Sequence, residues 1–380
     1  SSTLLASVSQ KVAMQETIDT KNKAVSLPDT VLPGQWPTAL APMQDVTNLP
    51  YMRVVARRGS PDYYFTEYFR VHGSSRLNPR ILRSITENPD GRPVFAQLIG
   101  ENLVDLRRTA RNLREYPVAG IDLNMGCPAP RVYKKKVGGG LLRDPQAVDR
   151  ILGTLREESP TLFTVKMRIG FEDDHLFDTL LGLMAKHNVD LLSLHVRTVQ
   201  GGYRSEPSYA HAKHAVDLLP CPVLLNGNIS TATVAHKEVI KSGAYGAMIG
   251  RAAIRNPWIF RQIRQMQANE KVFQPVLEDV YVYVAELYEE FSSSNVPEAK
   301  QVARMKKFLN FVGLAVDTEG SFLHQMRRCR TKDELFSTCS EFMREEGRGA
   351  TPFHDQAPPA GTHASPFSSA NTSCSSEISF

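Results

Sequence analysis

Eight short apolar segments that alternate with helical segments place the strongest constraint on the fold of this chain. Several are continuous apolar runs, among them IDLN, LLSLHV, VLLN and AMIG. Such runs are typical of strands that are buried on both faces in a parallel sheet covered by helices. The predicted strands are Thr38–Met43, Asp62–Glu67, Pro93–Gly100, Ala119–Asn124, Leu162–Arg168, Asp190–Val196, Pro222–Asn226 and Gly246–Gly250.

The segments between these strands are long enough to form crossover helices. Eight strand–helix units predict a closed (β/α)₈ TIM barrel, with a doubly wound open sheet as the alternative. The alternative is weakened because no G-x-G-x-x-G turn follows the first strand. The clearest crossover helices are predicted at Leu103–Glu115, Pro145–Glu158, Leu176–His187, Tyr209–Leu218 and Thr231–Ser242.

Strand signals stop near Pro257, and the later apolar periodicity is helical. We therefore predict an α/β fold in which a TIM barrel at residues 37–258 is followed by a small C-terminal helical-bundle domain at residues 259–346. Residues 1–36 are predicted to be a flexible N-terminal extension, and residues 347–380 a disordered tail. The predicted helices of the bundle are Ile259–Asn269, Leu277–Phe291, Glu298–Leu314 and Lys332–Arg344.

The composition excludes several other classes of protein. A hydrophobic content of 42% over 380 residues is sufficient for a buried core and rules out wholesale disorder. No apolar run reaches the ~18 residues of a membrane span, so no membrane association is expected. The five cysteines are scattered and form no C-x-x-C pair, which favours a reduced, cytoplasmic protein. The net charge of +5 permits a polyanionic partner.

Polar or reactive side chains follow nearly every predicted strand. The carboxyl ends of barrel strands meet on one rim, where barrel enzymes place their functional groups. Stability alone does not require this convergence, so the sequence predicts an active rim. The residues are Gln97, Asn124, Cys127, Lys166, Arg168, His195, Arg197, Asn226 and Arg251.

Two glycine-containing motifs after the last two strands predict a phosphate site. Asn226-Gly227-Asn228 follows the seventh strand, and Gly250-Arg251 follows the eighth. Loops at these positions commonly bind phosphate, because glycine lets backbone N–H groups approach the oxygens and arginine adds a charged donor. For either motif alone, a tight turn without a ligand is the alternative.

Lys166 and Arg168 lie two residues apart and therefore face the same side of one strand. We favour a functional role for Lys166, as a fixed positive charge beside an electron-rich cofactor ring. A salt bridge to Asp122 or Glu67 is the alternative. His195 alone is ambiguous between a core group and a site residue. Because no second ligand stands at metal-binding spacing, no metal site is predicted.

Cys127 stands in a Gly-Cys-Pro turn just after the fourth predicted strand. A structural cysteine is more often found inside a strand or a helix. A loop cysteine over a cationic rim is suited to act as a nucleophile or as a proton donor, and the residues alone leave both roles open.

Short motifs at the ends of the predicted strands together carry a family resemblance. They are Ala41-Pro42-Met43, Thr66-Glu67, Gln97-Leu98, Asp122-Leu123-Asn124, Gly126-Cys127-Pro128, Lys166-x-Arg168-x-Gly170, His195-x-Arg197-Thr198, Asn226-Gly227-Asn228 and Met248-Ile249-Gly250-Arg251. Together they resemble the tRNA-dihydrouridine synthases from about residue 38 to 345. The helical segment VARMK and the GYRSEP loop are most similar to the bacterial C-type subgroup.

The resemblance implies an FMN-dependent oxidoreductase that uses NADPH to reduce the flavin and converts uridines of tRNA to 5,6-dihydrouridine. It implies that Cys127 donates the proton to C5 of uracil, and that tRNA is the partner, with no metal and no obligate protein partner. The residues implied to hold FMN are Pro42, Met43, Gln44, Gln97, Lys166, His195, Asn226, Gly227, Asn228, Gly250 and Arg251. The residues implied to meet uracil or the RNA are Arg70, Asn124, Arg168, Arg197, Arg304 and Lys306.

Three features of this chain bear on those expectations. The sixth strand ends in HVRT where the family usually has HGRT, so Val196 stands where close cofactor approach is usual. Lys134-Lys135-Lys136 lies beside Cys127 and is a candidate for phosphate contact, with a solvated loop as the alternative. The helix predicted at 298–314 has a basic stripe opposite an apolar one, which RNA contact and a solvated face explain equally well.

Two other functions remain open from the sequence. A flavin barrel that acts on a free pyrimidine or an enone would keep the flavin residues without needing the helical domain. A non-catalytic RNA-binding barrel would contain no flavin, and the presence of Lys166, Arg251 and Cys127 argues against it.

Overall fold

Nine strands form one parallel sheet in the computed structural model of this chain, which describes residues 27–159 and 161–353. They are β1 (Thr38–Leu40), β2 (Tyr63–Phe65), β3 (Phe69–Arg70), β4 (Val94–Ile99), β5 (Gly120–Met125), β6 (Leu162–Arg168), β7 (Leu191–His195), β8 (Val223–Asn226) and β9 (Gly246–Ile249). β1 pairs with both β2 and β9, and β2 pairs with β4, so the sheet closes into a barrel. The predicted TIM barrel is therefore confirmed.

All eight predicted strands are present, with ends that agree with the prediction to within three residues. The short strand β3 lies outside the prediction. It pairs with the end of β4 and continues the second strand position after a break at residues 66–68. Within the break, the hydroxyl of Thr66 accepts the backbone N–H of Gln97 at 3.0 Å. A side chain thus takes the place of a backbone partner, which interrupts the strand.

Within the described residues, eight helices lie between the strands; seven cover the outside of the barrel, and the short helix Pro130–Tyr133 packs beside Cys127. Five of the eight begin at a side-chain cap: the Asn48 side chain accepts the N–H of Tyr51 at the first helix, and Thr231 accepts that of Val234 at the last. The five named crossover helices are confirmed, two of them residue for residue. The helices are α1 (Leu49–Gly59), α2 (Pro79–Thr86), α3 (Leu103–Leu113), α4 (Pro130–Tyr133), α5 (Pro145–Glu158), α6 (Phe177–Lys186), α7 (Tyr209–Leu218) and α8 (Ala232–Ser242).

The interior of the barrel changes from apolar at the amino ends of the strands to polar at their carboxyl ends. Alternate residues of a strand face the same side. Accordingly Phe95 in β4 is followed two positions later by Gln97, and Leu224 in β8 by Asn226. The apolar members form one buried cluster, which includes Tyr63, Phe65, Phe95, Leu191, Leu224 and Met248. The polar members are thereby brought together above this cluster.

Within the described residues, six helices follow the last strand: α9 (Arg251–Arg255), α10 (Ile259–Gln267), α11 (Leu277–Phe291), α12 (Glu298–Val312), α13 (Ser321–Met326) and α14 (Lys332–Met343). Among them, α11 and α12 pack on α1, where the rings of Tyr51 and Phe308 lie 5.7 Å apart and Arg58 forms a 2.7 Å salt bridge with Glu286. The apolar stripe of α12 is buried, whereas Lys300 and Lys307 are exposed. Assignment of these helices to a separate tRNA-binding domain stays a prediction.

The described ends of the chain pack against the folded part. The hydroxyl of Tyr63 donates to the carbonyl of Pro28 at 2.9 Å, and Leu27 is buried among the interior residues of the barrel. At the other end, the buried Phe353 donates its N–H to the carbonyl of Pro275. The remainder of the predicted flexible extension and of the predicted tail, residues 1–26 and 354–380, lies outside the described residues. Within the described residues, no helix is long and apolar enough to span a membrane.

Candidate active site

The loop that carries Cys127 is held from both sides. On one side, the Asn124 side-chain oxygen accepts the N–H groups of Gly126 and Cys127 at 3.1 and 3.0 Å. On the other, the N–H of Gly139 donates to the carbonyl of Cys127 at 3.2 Å. A Cβ at Gly138 would lie only 3.1 Å from the Cβ of Cys127, and the positive φ of 58° at this position also favours glycine. The thiol is therefore partly buried between two loops.

The environment of Cys127 favours the protonated thiol. Burial raises the pKa of this thiol, and the backbone N–H of Ala129 together with the guanidinium groups of Arg168, Arg131 and Arg70 opposes the rise only in part. A thiol with a raised pKa is mostly protonated at neutral pH, so it is a poor nucleophile and an available proton donor. Of the two roles that the sequence left open, the surroundings of the thiol thus favour the proton donor over the nucleophile.

A chain of buried hydrogen bonds runs from the middle of the barrel to this loop. The Asp122 carboxylate accepts the hydroxyl of Thr164 at 2.6 Å and the side-chain NH₂ of Gln97 at 2.7 Å. The side-chain oxygen of Gln97 in turn accepts the NH₂ of Asn124 at 2.8 Å. Strand register explains the contacts, because Gln97 lies opposite Asp122 in β4 and β5, and Asp122 opposite Thr164 in β5 and β6.

Four basic side chains converge beside this chain. Lys166 donates to the side-chain oxygen of Asn226 at 3.0 Å, which replaces the salt bridge to Asp122 or Glu67 that the sequence offered as an alternative. Arg168 donates to the carbonyl of Gly126 at 3.0 Å and thereby links β6 to the cysteine loop. Within the described residues, these cations form no salt bridge with a carboxylate. They are Lys166, Arg168, Arg197 and Arg251.

Burying these cations side by side is energetically unfavourable, as the shifts in their pKa values indicate. Burial lowers the pKa of Lys166 to about 8, and the neighbouring Arg168 contributes to the decrease. Burial also lowers the pKa of Arg197 and Arg251, and Arg251 adds to the shift at Arg197. The pKa of His195 falls well below its usual value through burial and these cations, so its ring is neutral. Buried like charges without counterions are unfavourable, and a bound anion would relieve them.

Polar atoms without a partner mark the same region. Among the described residues, Nδ1 of His195, Nη1 of Arg197 and Oε1 of Gln44 are buried and make no hydrogen bond. Such atoms are rare in folded proteins and are commonly satisfied by a ligand or by water. The site therefore offers unsatisfied polar groups of several kinds together with excess positive charge.

The two predicted phosphate loops adjoin each other and the loop after β1. Gly227 and Asn228 both have positive φ, at 116° and 56°. A Cβ at Gly227 would lie 3.1 Å from Val196, whose side chain is buried rather than directed into an open cofactor space. A Cβ at Gly250 would lie 3.5 Å from the sulfur of Met43, in the half-buried Pro42-Met43-Gln44 segment.

Tyr203 is a site residue that the sequence analysis did not single out. Its ring centroid lies 3.9 Å from the Arg251 guanidinium carbon and 5.5 Å from that of Arg168. The ring of His195 meets it nearly edge-on at 6.2 Å. Tyr203 therefore lies against the cations. The available signal was an aromatic residue in the loop that follows the HVRT motif.

The predicted RNA-contact residues occupy different settings. Arg70 is exposed, and its guanidinium carbon lies 5.4 Å from the ring of Tyr68. Arg304 is half-buried, with its guanidinium carbon 5.5 Å from the ring of Phe291, and Lys306 donates to the carbonyl of Arg327 at 3.0 Å. Contact between these residues and RNA stays a prediction. Within the described residues, no group of His, Cys, Asp and Glu is arranged to hold a metal.

Comparison with known proteins places this geometry in a family context. A family model described as "Dihydrouridine synthase (Dus)" matches residues 39–345. The tRNA-dihydrouridine(16) synthase of Neisseria meningitidis serogroup A is 26% identical over 316 residues, which cover 80% of this chain and 94% of that protein. The protein of the same name from Ralstonia nicotianae is 32% identical over 61% of this chain and 73% of its own. A probable tRNA-dihydrouridine synthase 2 of Bacillus subtilis is 25% identical over 80% and 94%.

The raised pKa of Cys127 predicts how this thiol reacts with an alkylating reagent. We expect the rate of modification by iodoacetamide to stay low through neutral pH and to rise only above the ordinary thiol pKa of about 8.5, because the thiolate is the reactive form. Mass spectrometry of the peptide that contains Cys127, after timed exposure across this pH range, measures the rate. The unfolded protein is the control and should titrate at the ordinary value. A folded-state midpoint below that of the unfolded protein contradicts the expectation.

Proposed function

This chain belongs to the dihydrouridine synthase family of oxidoreductases, and we propose that it is an FMN-dependent enzyme that reduces the C5=C6 bond of uridines in tRNA, with NADPH as reductant. The observation that carries the proposal is the cluster of four cations without carboxylate partners among the described residues, set beside a protonated thiol. Two of the relatives described above are named for position 16 of tRNA, so uridine 16 is the proposed target.

The donor set of the site suits FMN. A phosphate needs N–H donors and positive charge, which the Gly227-Asn228 turn and Arg251 supply at the last two strands. The buried unpartnered atoms of His195 and Gln44 offer polar contacts to a heterocycle. Only one hydrogen of the Gln97 NH₂ group is engaged, by Asp122, so the second is available to a ring carbonyl. Bound FMN would supply the hydride, which it obtains from NADPH.

Lys166 and Arg168 have separate tasks in this proposal. Lys166 places positive charge beside the cofactor, and although burial lowers its pKa to about 8, an anionic ligand would raise the pKa again and hold the amine fully protonated. Arg168 holds the carbonyl of Gly126 and so fixes the loop that carries the thiol. The two neighbours on one strand would therefore serve the cofactor and the proton donor respectively.

The Cys127 thiol would donate its proton to C5 of uracil. Burial keeps the proton on sulfur before the reaction. Once the proton has left, the guanidinium groups of Arg168, Arg131 and Arg70 stabilise the thiolate, because each of them lowers the thiol pKa. This combination is the one that a general acid needs, with a proton held at neutral pH and positive charge ready for the conjugate base.

Three exposed lysines form a basic surface next to the loop that packs on Cys127. Lys134, Lys135 and Lys136 are exposed between α4 and the loop of Gly138 and Gly139 that packs on Cys127. In the described part of the chain, none of these three lysines forms a salt bridge. A uridine must leave its stack to reach the thiol, at a cost of a few kcal/mol. Phosphate contacts at this surface would offset the cost.

Replacement of the thiol tests the central step. Cys127→Ala should bind FMN and should be reduced by NADPH like the wild type, but turnover on tRNA should fall about 10² to 10⁴-fold, the usual worth of a general acid. Cys329→Ala, at a buried cysteine between α13 and α14, is the control and should keep its activity. Dihydrouridine formed per enzyme is measured by nucleoside mass spectrometry. Wild-type turnover in Cys127→Ala would remove the proton-donor role.

Neutralising the basic surface tests RNA contact. The triple variant Lys134→Gln, Lys135→Gln, Lys136→Gln should bind unmodified tRNA more weakly, and the slope of log affinity against log salt should decrease by about 0.7 to 0.9 for each phosphate that the variant no longer binds. Filter binding over a range of salt concentrations gives the slope. A matched triple variant at Lys213, Lys237 and Lys241, on the outer helices α7 and α8, carries the same charge change. Equal slopes for the two variants would contradict contact at this surface.

A further inference from the structure

Asp122 lies in the barrel interior and does not contact Cys127. It is completely buried, with an exposed fraction of 0%. One carboxylate oxygen accepts the hydroxyl of Thr164 and the other accepts the NH₂ of Gln97. The residue therefore has no evident part in binding tRNA or in moving a proton at the thiol.

We propose that Asp122 is a positioning residue for Cys127, because it sets the direction of the two amide side chains that hold the cysteine loop. The inference rests on the proposed function, in which Cys127 is the proton donor. Asp122 acts on the cysteine loop through Gln97 and Asn124. Each of these two side chains can turn either its oxygen or its NH₂ group toward its neighbour.

The direction of this chain follows from the chemistry of its first member. An ionised carboxylate only accepts hydrogen bonds, so Gln97 must turn its NH₂ group toward Asp122. The oxygen of Gln97 then faces Asn124 and takes its NH₂ group at 2.8 Å. This leaves the oxygen of Asn124 for the N–H groups of Gly126 and Cys127. Because the Asp122 carboxylate can only accept hydrogen bonds, the Asn124 oxygen is left as the acceptor that the cysteine loop needs.

The reversed chain would fail at the loop. If Asn124 were flipped, its NH₂ group would meet two backbone N–H donors, and three donors would lie together without an acceptor. Such buried unsatisfied donors are costly. The loop would then move away, and Sγ would move with it. A displacement of about 1 Å at a reacting group can lower a rate about a hundredfold.

The charge on Asp122 is maintained by its surroundings. Burial raises its pKa to about 6, while the hydrogen bonds from Thr164 and Gln97 and the positive charge of Lys166 oppose the rise. The side chain is therefore mostly ionised at neutral pH. The groups that face it from β4 and β6 are these two neutral donors and one cation, so the acceptor-only state is the one that the barrel favours.

Asp122→Asn tests the proposal because an amide permits both directions of the chain with nearly the same shape. We expect kcat for tRNA to fall at least about tenfold, with KM for tRNA and FMN content within about twofold of the wild type. The rate of alkylation of Cys127 should rise severalfold at constant pH, since the loop is no longer held. Thr164→Ser is the matched control: it changes a side chain that contacts the same carboxylate but keeps the hydroxyl donor that helps to hold Asp122 ionised. It should behave like the wild type in both measurements.

The two measurements separate this inference from the proposed function. If Asp122→Asn matches Thr164→Ser in kcat and in alkylation rate, the positioning role is overturned. If the wild type lacks activity on tRNA, the proposed function fails, and the alkylation rates still decide whether Asp122 holds the loop. If Asp122→Asn does not fold, Gln97→Met breaks the chain one link further along. It should also accelerate alkylation of Cys127, and an unchanged rate would overturn the proposal.

Discussion

The constraint on which the site depends is a cluster of cations at the carboxyl ends of the strands that form no salt bridge among the described residues. Arg168 and Arg197 are each only 2% exposed, and Lys166 and Arg251 are partly buried beside them. A folded chain tolerates such a group only when hydrogen bonds hold it and an anion completes it. Carbonyl oxygens of Gly126 and Ser205 supply part of the hydrogen bonding. In the proposed function, FMN would supply this negative charge together with several hydrogen-bond acceptors.

The thiol belongs to the same arrangement because Arg168, one of these four cations, also acts on Cys127. Burial raises the pKa of the thiol, and Arg168, Arg131 and Arg70 oppose the rise only in part. In the proposed function, the same three guanidinium groups would stabilise the thiolate once the proton is transferred. Asp122 acts through Gln97 and Asn124 to fix the position of the loop that carries the thiol. The charge that acts on the thiol and the position of the loop that carries it are therefore set by different residues.

Much of this could be predicted from the sequence because each strand ends in its own short motif. Continuous apolar runs predicted the barrel, and the parallel arrangement brought Gln97, Lys166 and His195 to one rim. The partner of Lys166 could not be predicted, since the register that places Asn226 within 3.0 Å is set by pairing across β6, β7 and β8. The direction of the Asp122 chain and the stacking of Tyr203 on Arg251 likewise depend on distant segments meeting. Periodicity and motifs contain no information about such contacts.

Affinity of the apoprotein for FMN compared with riboflavin tests the central claim most directly, since the two ligands differ only in the phosphate. If excess positive charge at the site is completed by an anionic cofactor, FMN should bind at least about tenfold more tightly, as expected for one charge-assisted contact. The difference should shrink in Arg251→Gln. Flavin fluorescence quenching gives both dissociation constants. Equal affinities for the two flavins, or failure of FMN to bind, would contradict the account.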